Sequence, residues 1–297
     1  MTNKKSGIVA LFGKTNVGKS TLLNSIIGEM VSIVTYKPQT TRSVIKGILN
    51  DERGQIVFLD TPGLHKPSGN LGKRLITIAY ESIYNVDLIV IMVDSTKLIS
   101  FDDKSLKILR NDKTPKLILL NKVDLVKDKR KLLPEIEELS SIFKDCEILP
   151  IRAINQDDVK IVKDKIFDLL KEGEPLYDEE IYTDQMERQI AGEIIRKNLF
   201  ILFKEEIPYS TAVYLEEFKE PLKENEKLLI SAVIVVAKES QKPIILGRGG
   251  KAIKELGIKS RVELEEFFET RINLKLFVKV KPDWENDPSF LKEIGIR

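Results

Sequence analysis

Gly13-Lys14-Thr15-Asn16-Val17-Gly18-Lys19-Ser20-Thr21 is the stretch whose reading decides the fold. It fits G-x-x-x-x-G-K-[ST]. The apolar run Gly7-Ile8-Val9-Ala10-Leu11-Phe12 before it reads as a buried strand. Thr21-Leu22-Leu23-Asn24-Ser25-Ile26-Ile27 after it carries apolar residues at helical spacing. Strand, glycine loop and helix N-terminus together make an anion cradle, because loop N–H groups and the helix dipole converge on one point. Lys19 would reach terminal phosphates and the Ser20 hydroxyl would bind Mg²⁺. The candidate nucleotide contacts in this loop are Gly13, Asn16, Val17, Gly18, Lys19, Ser20 and Thr21.

The chain has 297 residues, enough for two domains, with 42% apolar and 32% charged residues. That composition describes a globular chain with a heavily charged surface. No run of 18 apolar residues is present, so no membrane span is expected, and no secretory leader is expected before the first strand. The single cysteine, Cys146, rules out a disulfide framework and points to a reducing, cytoplasmic setting. The single histidine, His65, leaves no conventional zinc site or Ser-His triad. Net charge is only +2, yet seven basic residues face two acidic ones between Lys238 and Arg261. Charge concentrated in this way suits a local binding surface.

Ser43 to Asn50 and Gln55 to Asp60 flank Asp51-Glu52-Arg53-Gly54, a hairpin signal. The second strand ends in Asp60-Thr61-Pro62-Gly63, which places a carboxylate for the Mg²⁺ shell and a glycine N–H for a γ-phosphate. Leu88 to Val93 and Lys116 to Leu120 read as buried parallel strands. The latter ends in Asn121-Lys122-Val123-Asp124. Asp124 can accept hydrogen bonds from N1 and N2 of guanine, a donor pair adenine lacks, and such demands discriminate by roughly 10⁴-fold. A strand at Glu147–Ile151 leads to Arg152-Ala153, and a helix over residues 156–171 closes the domain. Strands alternating with helices predict an α/β fold: a mostly parallel sheet, helices on both faces, and the ligand at the strands' carboxyl ends.

This motif series resembles the Era/TrmE type of GTPase domain, in which Asn-x-Gly-Lys-Ser is followed by Thr-Thr-Arg and Asp-Thr-Pro-Gly. The resemblance implies that a switch threonine completes the Mg²⁺ shell in the GTP state, Thr41 first and Thr40 as the alternative. Lys19, Thr41 and Gly63 are then the catalytic candidates, and Ser20, Thr41 and Asp60 the metal candidates. Asn16 is implied to help hold a K⁺ ion. The family's Ser-Ala at the guanine loop is Arg152-Ala153 here, leaving the Ala153 N–H for guanine O6. Leu64 stands where many GTPases orient water with glutamine, so slow hydrolysis is expected. His65, Arg42 and Lys66 read as ordinary loop charges or as helpers of that water.

Lys171 to Pro175 breaks the helix. A helix over 183–203, capped by Thr183 or Asp184, is followed by strands over 212–218 and 228–237. Then comes Ile244-Ile245-Leu246-Gly247-Arg248-Gly249-Gly250-Lys251-Ala252-Ile253-Lys254, and a last strand spans 272–280. G-x-x-G within that order resembles a type II KH domain, whose loop clamps the backbone of about four nucleotides. Gly247, Arg248, Gly249, Gly250, Lys251 and Lys254 would meet phosphates, while Ile244 would line a base groove or belong to the core. The Lys275, Lys279, Lys281 row is RNA contact or solvated face.

The expected division is residues 1–172 as GTPase domain, 173–180 as linker and 181–297 as type II KH domain. With one P-loop, nearly the whole chain resembles the Era family of bacterial ribosome-assembly GTPases. That resemblance implies GTP/GDP with Mg²⁺, binding to 16S rRNA of the 30S subunit near its 3′ end, and a monomer with peripheral association at the inner membrane face. A different reading makes the chain a regulatory switch whose KH-like module binds protein or membrane.

Overall fold

The computed structural model describes residues 4–67, 69–221, 223 and 226–296. It falls into two compact units: Met1–Ser32 with Thr41–Asp184, and Ile33–Thr40 with Gln185–Arg297.

In the first unit, β1 (Lys5–Gly13), β2 (Ile45–Asp51), β3 (Gly54–Asp60), β4 (Leu88–Asp94), β5 (Lys116–Asn121) and β6 (Glu147–Ile151) form one sheet ordered β2-β3-β1-β4-β5-β6. Only β2 runs antiparallel, paired to β3 through the expected hairpin. β4 is buried at all seven residues, as a strand covered on both faces must be. The helices are α1 (Lys19–Ile27), α2 (Gly69–Glu81), α3 (Asp103–Asn111), α4 (Leu132–Ile142) and α5 (Gln156–Leu169). Alternate residues of β1 divide between two apolar clusters: Val9 and Leu11 join one that includes residues of α1 and α5, Ala10 and Phe12 one that includes residues of α2, α3 and α4. The side-chain period of two makes this division unavoidable.

The segment expected as a linker is not free. It continues as an ordered strap beside β1, β2 and β3, and the first unit ends at Asp184 rather than near 172. Gln55, 1% exposed, is its anchor. Its Oε1 accepts the Leu176 and Tyr177 N–H groups at 2.7 and 2.9 Å. Its Nε2 donates to the Tyr177 carbonyl at 2.7 Å and to Asn50 Oδ1 at 2.8 Å. Farther along, the Ile48 N–H donates to the Tyr182 carbonyl at 2.8 Å. The strap thus supplies partners to the outer edge strand, which would otherwise present open N–H and C=O groups.

In the second unit α6 (Glu187–Leu202), β7 (Thr211–Lys219), β8 (Leu228–Val236), α7 (Lys242–Leu246), α8 (Lys251–Phe267), β9 (Ile272–Val280) and α9 (Pro288–Glu293) follow in order. The sheet is β7-β8-β9, with β7 antiparallel and β9 parallel to β8. The first helix, the two strands, a helix after the G-x-x-G loop and the last strand are as expected, whereas α7, just before that loop, and α9 are additional. The start of α6 differs from the expectation. Thr183 donates its hydroxyl to the Lys46 carbonyl at 2.8 Å and Asp184 pairs with the Lys46 ammonium at 2.7 Å. The helix begins four residues beyond Thr183, with Gln189 Oε1 taking the Met186 N–H at 3.1 Å. Both expected caps serve the strap instead.

Gln55 and Trp284 allow the units to be followed separately. Trp284, the chain's one tryptophan, is fully buried in the second unit. Gln55→Ala leaves the Leu176 and Tyr177 N–H groups without their shared acceptor and is expected to destabilise the first unit by about 2–4 kcal/mol. In urea, the circular-dichroism transition of the first unit should move to lower concentration while the Trp284 fluorescence transition stays in place. A shift of both, or of neither, would show that Gln55 does not anchor the strap.

Candidate nucleotide site and RNA-binding loop

Gly18 closes the loop after β1 in a left-handed conformation (φ 107°), and α1 begins immediately after it with no side-chain cap. α3 and α5, by contrast, are capped by Asp102 and Asn155. The uncapped first turn of α1 keeps its N–H groups available for an anion. Lys19 is 6% exposed, and its ammonium donates to the Gly13 and Lys14 carbonyls at 3.1 and 3.0 Å. Burial pushes its pKa down to about 8, against the opposing pull of the Asp60 charge.

Asp60, at the end of β3, is fully buried. Its Oδ2 accepts from Ser20 Oγ at 2.6 Å and Ser32 Oγ at 2.8 Å, with Thr41 Oγ1 at 3.5 Å. Ser20 Oγ and Thr41 Oγ1 lie 3.2 Å apart. Oδ1 of the same carboxylate is buried with no hydrogen-bond partner. Burial raises the Asp60 pKa, and Lys19, Ser20, Ser32 and Thr41 pull against that rise. Three oxygen ligands around one point and an unsatisfied carboxylate oxygen are the donor set of a hard divalent cation. The residues fit Mg²⁺. Thr41 joins this cluster, whereas the Thr40 hydroxyl bonds Thr35 Oγ1 and the Lys37 carbonyl, both at 2.7 Å, within the second unit.

Gly63 lies flush against the phosphate loop. A Cβ there would stand 2.6 Å from Thr15 Cα. The next residue clips the two segments together: the Leu64 N–H donates to the Gly13 carbonyl and the Thr15 N–H to the Leu64 carbonyl, each at 3.0 Å. The Leu64 side chain, 8% exposed, belongs to the apolar cluster that includes Phe12 and Ile91. It therefore packs as core. His65 Nδ1 meets the Gly63 carbonyl at 2.9 Å, which makes it a loop brace.

At the end of β5, Asn121 and Lys122 act on the loops around the nucleotide. Asn121 Nδ2 donates to the Val17 carbonyl at 2.7 Å and its Oδ1 accepts the Ala153 N–H at 2.9 Å. A Cβ on Gly18 would lie 2.3 Å from Asn121 Nδ2, so glycine is needed for that reach. The Lys122 ammonium donates to the Asn16 carbonyl at 2.6 Å and to Asp94 Oδ2 at 2.7 Å. Burial acts to raise the Asp94 pKa, but Lys122 and Thr96 prevail and hold it below the usual carboxylate range. Asp124 is exposed. Arg152, in place of the family's serine, pairs with Asp158 through Nε and Nη2 at 2.8 and 3.0 Å. It organises the start of α5 rather than supporting Asp124 directly.

Two contributors escaped the sequence reading: Ser32 and Asp94. Ser32 sits in a loop without periodicity, held by Asn24 Oδ1, which accepts its N–H at 2.9 Å. Only the preference of a strand's last carboxylate for bracing partners hints at Asp94.

In the second unit the G-x-x-G loop has left-handed Gly249 and Gly250 (φ 62° and 75°), while Gly247 pairs φ 71° with an extended ψ of 171°. α8 also starts without a side-chain cap. Arg248, Lys251 and Lys254 are exposed around that open turn, and Ile244 is 48% exposed while Ile245 is fully buried. The isoleucine pair thus divides between surface and core. Lys279 and Lys281 are held by Glu216 and Asp287 at 2.5 and 2.8 Å, so that row is largely a paired, solvated face. Among the described residues, no helix is long and apolar enough to cross a membrane.

Comparison with known proteins agrees with this division. A family model described as 50S ribosome-binding GTPase matches residues 8–122, and a KH domain model matches residues 206–285. GTPase Era of Syntrophus aciditrophicus is 41% identical over 98% of this chain and 95% of its own length. GTPase Era of Geotalea daltonii is 42% identical over 98% and 97%. Among solved structures, Era in complex with MgGDPNP and nucleotides 1506–1542 of 16S ribosomal RNA superposes with a TM-score of 0.93, 37% identity and 99% of each chain covered. A variant Era of Aquifex aeolicus bound to GDP·AlF4⁻ gives 0.90, 37% identity and coverage of 98% and 99%. Uncapped phosphate loop, buried carboxylate, an N-K-x-D loop with Asp124 exposed and a G-x-x-G loop occur here in one chain, and that chain belongs to the GTPase Era family.

Proposed function

We propose that the chain is a GTP-hydrolysing switch that binds 16S rRNA near its 3′ end during assembly of the small ribosomal subunit. The observation that carries this reading is the pairing, in one chain, of the Ser20–Thr41–Asp60 cluster with an uncapped G-x-x-G helix start. The Era structure in complex with MgGDPNP and nucleotides 1506–1542 of 16S ribosomal RNA supports it. Cys146 as the single cysteine suits the cytoplasm.

In the bound state Lys19 would neutralise the terminal phosphates, and Ser20, Thr41 and Asp60 would hold the Mg²⁺. The metal supplies positive charge to the β- and γ-phosphate oxygens. The Gly63 N–H would fix the γ-phosphate, and Asp124 would select guanine. With Leu64 in the core, no side chain at that position orients water, so turnover is slow and rests on electrostatics. Asn16 would help hold a K⁺ ion that takes the place of an arginine finger.

Three measurements test the site. Ser32→Ala frees Asp60 Oδ2 from one of its three hydroxyls, and loss of such a supporting group typically weakens a metal site about 10–100-fold. The Mg²⁺ concentration needed to slow release of fluorescent GDP should rise accordingly, and an unchanged requirement would remove Ser32 from the metal site. Asn16 has φ 62°, so Asn16→Gly deletes the side chain without backbone strain. The wild type should hydrolyse GTP several-fold faster in K⁺ than in Na⁺, and Asn16→Gly should erase that difference; equal rates in both salts would exclude the ion. For RNA, affinity for a 16S 3′-terminal oligonucleotide should fall as salt rises. Gly249→Asp, at φ 62° with open space around its Cβ, should fold and yet bind at least about tenfold more weakly by charge repulsion. Binding indifferent to both salt and the substitution would favour a protein or membrane partner.

A further inference from the structure

We infer that a cavity behind the phosphate loop is a second ligand site, for an aromatic organic anion, separate from the nucleotide site. The cavity lies wholly within the first unit, and its chemistry is independent of what the chain does on RNA.

The cavity has a volume of about 900 Å³, within the range of roughly 300–1,000 Å³ of small-molecule sites. The end of β1, residues 64–67, α2, the end of β4, residues 97–102 and the start of α3 enclose it. Gly13, Lys14 and Thr15 of the phosphate loop belong to its wall, whereas Lys19, Asp60 and Asp124 do not. The loop therefore separates the cavity from the groups that meet nucleotide. Three aromatic rings contribute to the apolar wall. Phe12 and Tyr80 are buried with ring centroids 5.9 Å apart, and Phe101 packs edge-on against Phe143 at 5.4 Å. Leu98, also in the wall, is 87% exposed and so stands at the mouth. Ring edges and faces of this kind favour an aromatic guest in offset or T-shaped contact.

The polar part of the wall carries an excess of positive charge. Lys14, Lys66, Lys97 and Lys104 line it, against the carboxylates of Asp94 and Asp102. Both carboxylates are already committed. Asp94 accepts from Lys122 at 2.7 Å and Thr96 Oγ1 at 2.6 Å, with Lys97 at 3.7 Å. Asp102 caps α3, taking the Ser105 N–H at 2.9 Å and its hydroxyl at 2.6 Å, with the Tyr80 hydroxyl at 3.3 Å. Among the described residues, no carboxylate pairs with Lys14, Lys66 or Lys104. The Lys14 ammonium donates to Ser100 Oγ at 2.7 Å, a neutral partner, and the Lys104 ammonium stands 4.4 Å from the Tyr80 ring centroid. Unmatched ammonium groups beside a low-dielectric wall focus a positive field into the cavity. A cation would be repelled there and a neutral guest would leave the field unanswered. An anion with an apolar ring system meets both parts of the wall.

The test is a fluorescence titration of the full-length protein, saturated with MgGDP, with the aromatic anion anilinonaphthalenesulfonate. The probe should bind saturably without displacing GDP. Lys104→Glu puts a carboxylate in the exposed first turn of α3, which the helix dipole tolerates, and should weaken the probe at least about tenfold. Ile76→Trp fills the cavity from α2 and should weaken it to a similar degree, with an unchanged circular-dichroism melt as the check on folding. Lys107→Glu makes the same change of charge on α3 outside the wall, where solvent screens it, and should stay within about twofold. The uncharged phenylnaphthylamine should bind at least about tenfold more weakly than the sulfonate. No binding to the GDP-saturated protein, displacement by GDP, or an affinity indifferent to both Lys104→Glu and Ile76→Trp would overturn the inference. Equal affinity for the uncharged probe would make the cavity a seat for an apolar side chain of a protein partner and overturn it as an anion site.

Discussion

A carboxylate buried with one oxygen satisfied and the other left open is the constraint from which the nucleotide site follows. Asp60 is fully buried, and so nearly is the Lys19 ammonium. Burying two opposite charges is costly unless each finds enough partners. Here the hydroxyls of Ser20, Ser32 and Thr41 serve Asp60 Oδ2, and loop carbonyls serve Lys19, while Asp60 Oδ1 has no partner. Burial moves the two pKa values toward the neutral forms, Lys19 downward and Asp60 upward. A phosphate beside Lys19 and a divalent cation beside Asp60 reverse both tendencies. The fold by itself thus leaves the cluster short of electrostatic completion, and a phosphate and a cation would supply what it withholds.

The sheet is the means by which that constraint is met. Parallel strands β1, β3, β4 and β5 deliver Gly13, Asp60, Asp94 and Asn121 to one edge of the sheet. Of Asn121, Lys122 and Asp124 in the N-K-x-D loop, only Asp124 is exposed. Asn121 and Lys122 tie that loop to Val17, Asn16, Ala153 and Asp94. The N-K-x-D loop and the phosphate loop therefore share one hydrogen-bonded network. A disturbance at the base loop reaches the phosphate loop through two hydrogen bonds.

Two chain segments do not stay where their position in sequence suggests. The strap ending at Asp184 belongs with the first unit through Gln55 and the backbone of Ile48, and the arm at Ile33–Thr40 belongs with the second through Arg196 and Lys37. Each is held by a buried polar side chain that bonds to main chain. Such bonds are directional, and leaving them unmade is costly. They fix where a segment lies without adding apolar contact.

The local signals were legible in the sequence by itself. G-x-x-x-x-G-K-[ST], D-x-x-G, N-K-x-D and G-x-x-G each describe a few consecutive residues whose backbone geometry and chemistry are set within the motif, and strand and helix periodicity placed them at strand ends and helix starts. Their order resembles that of an α/β GTPase domain followed by a KH domain. Only the tertiary structure decided that Ser32 braces Asp60, that Thr41 rather than Thr40 joins Ser20, and that α6 begins at Glu187 because Thr183 and Asp184 are engaged by Lys46. The physical reason is the same in each case. The deciding partner lies tens to more than a hundred positions away, and a hydrogen bond of that kind exists only after the fold has brought its donor and acceptor together.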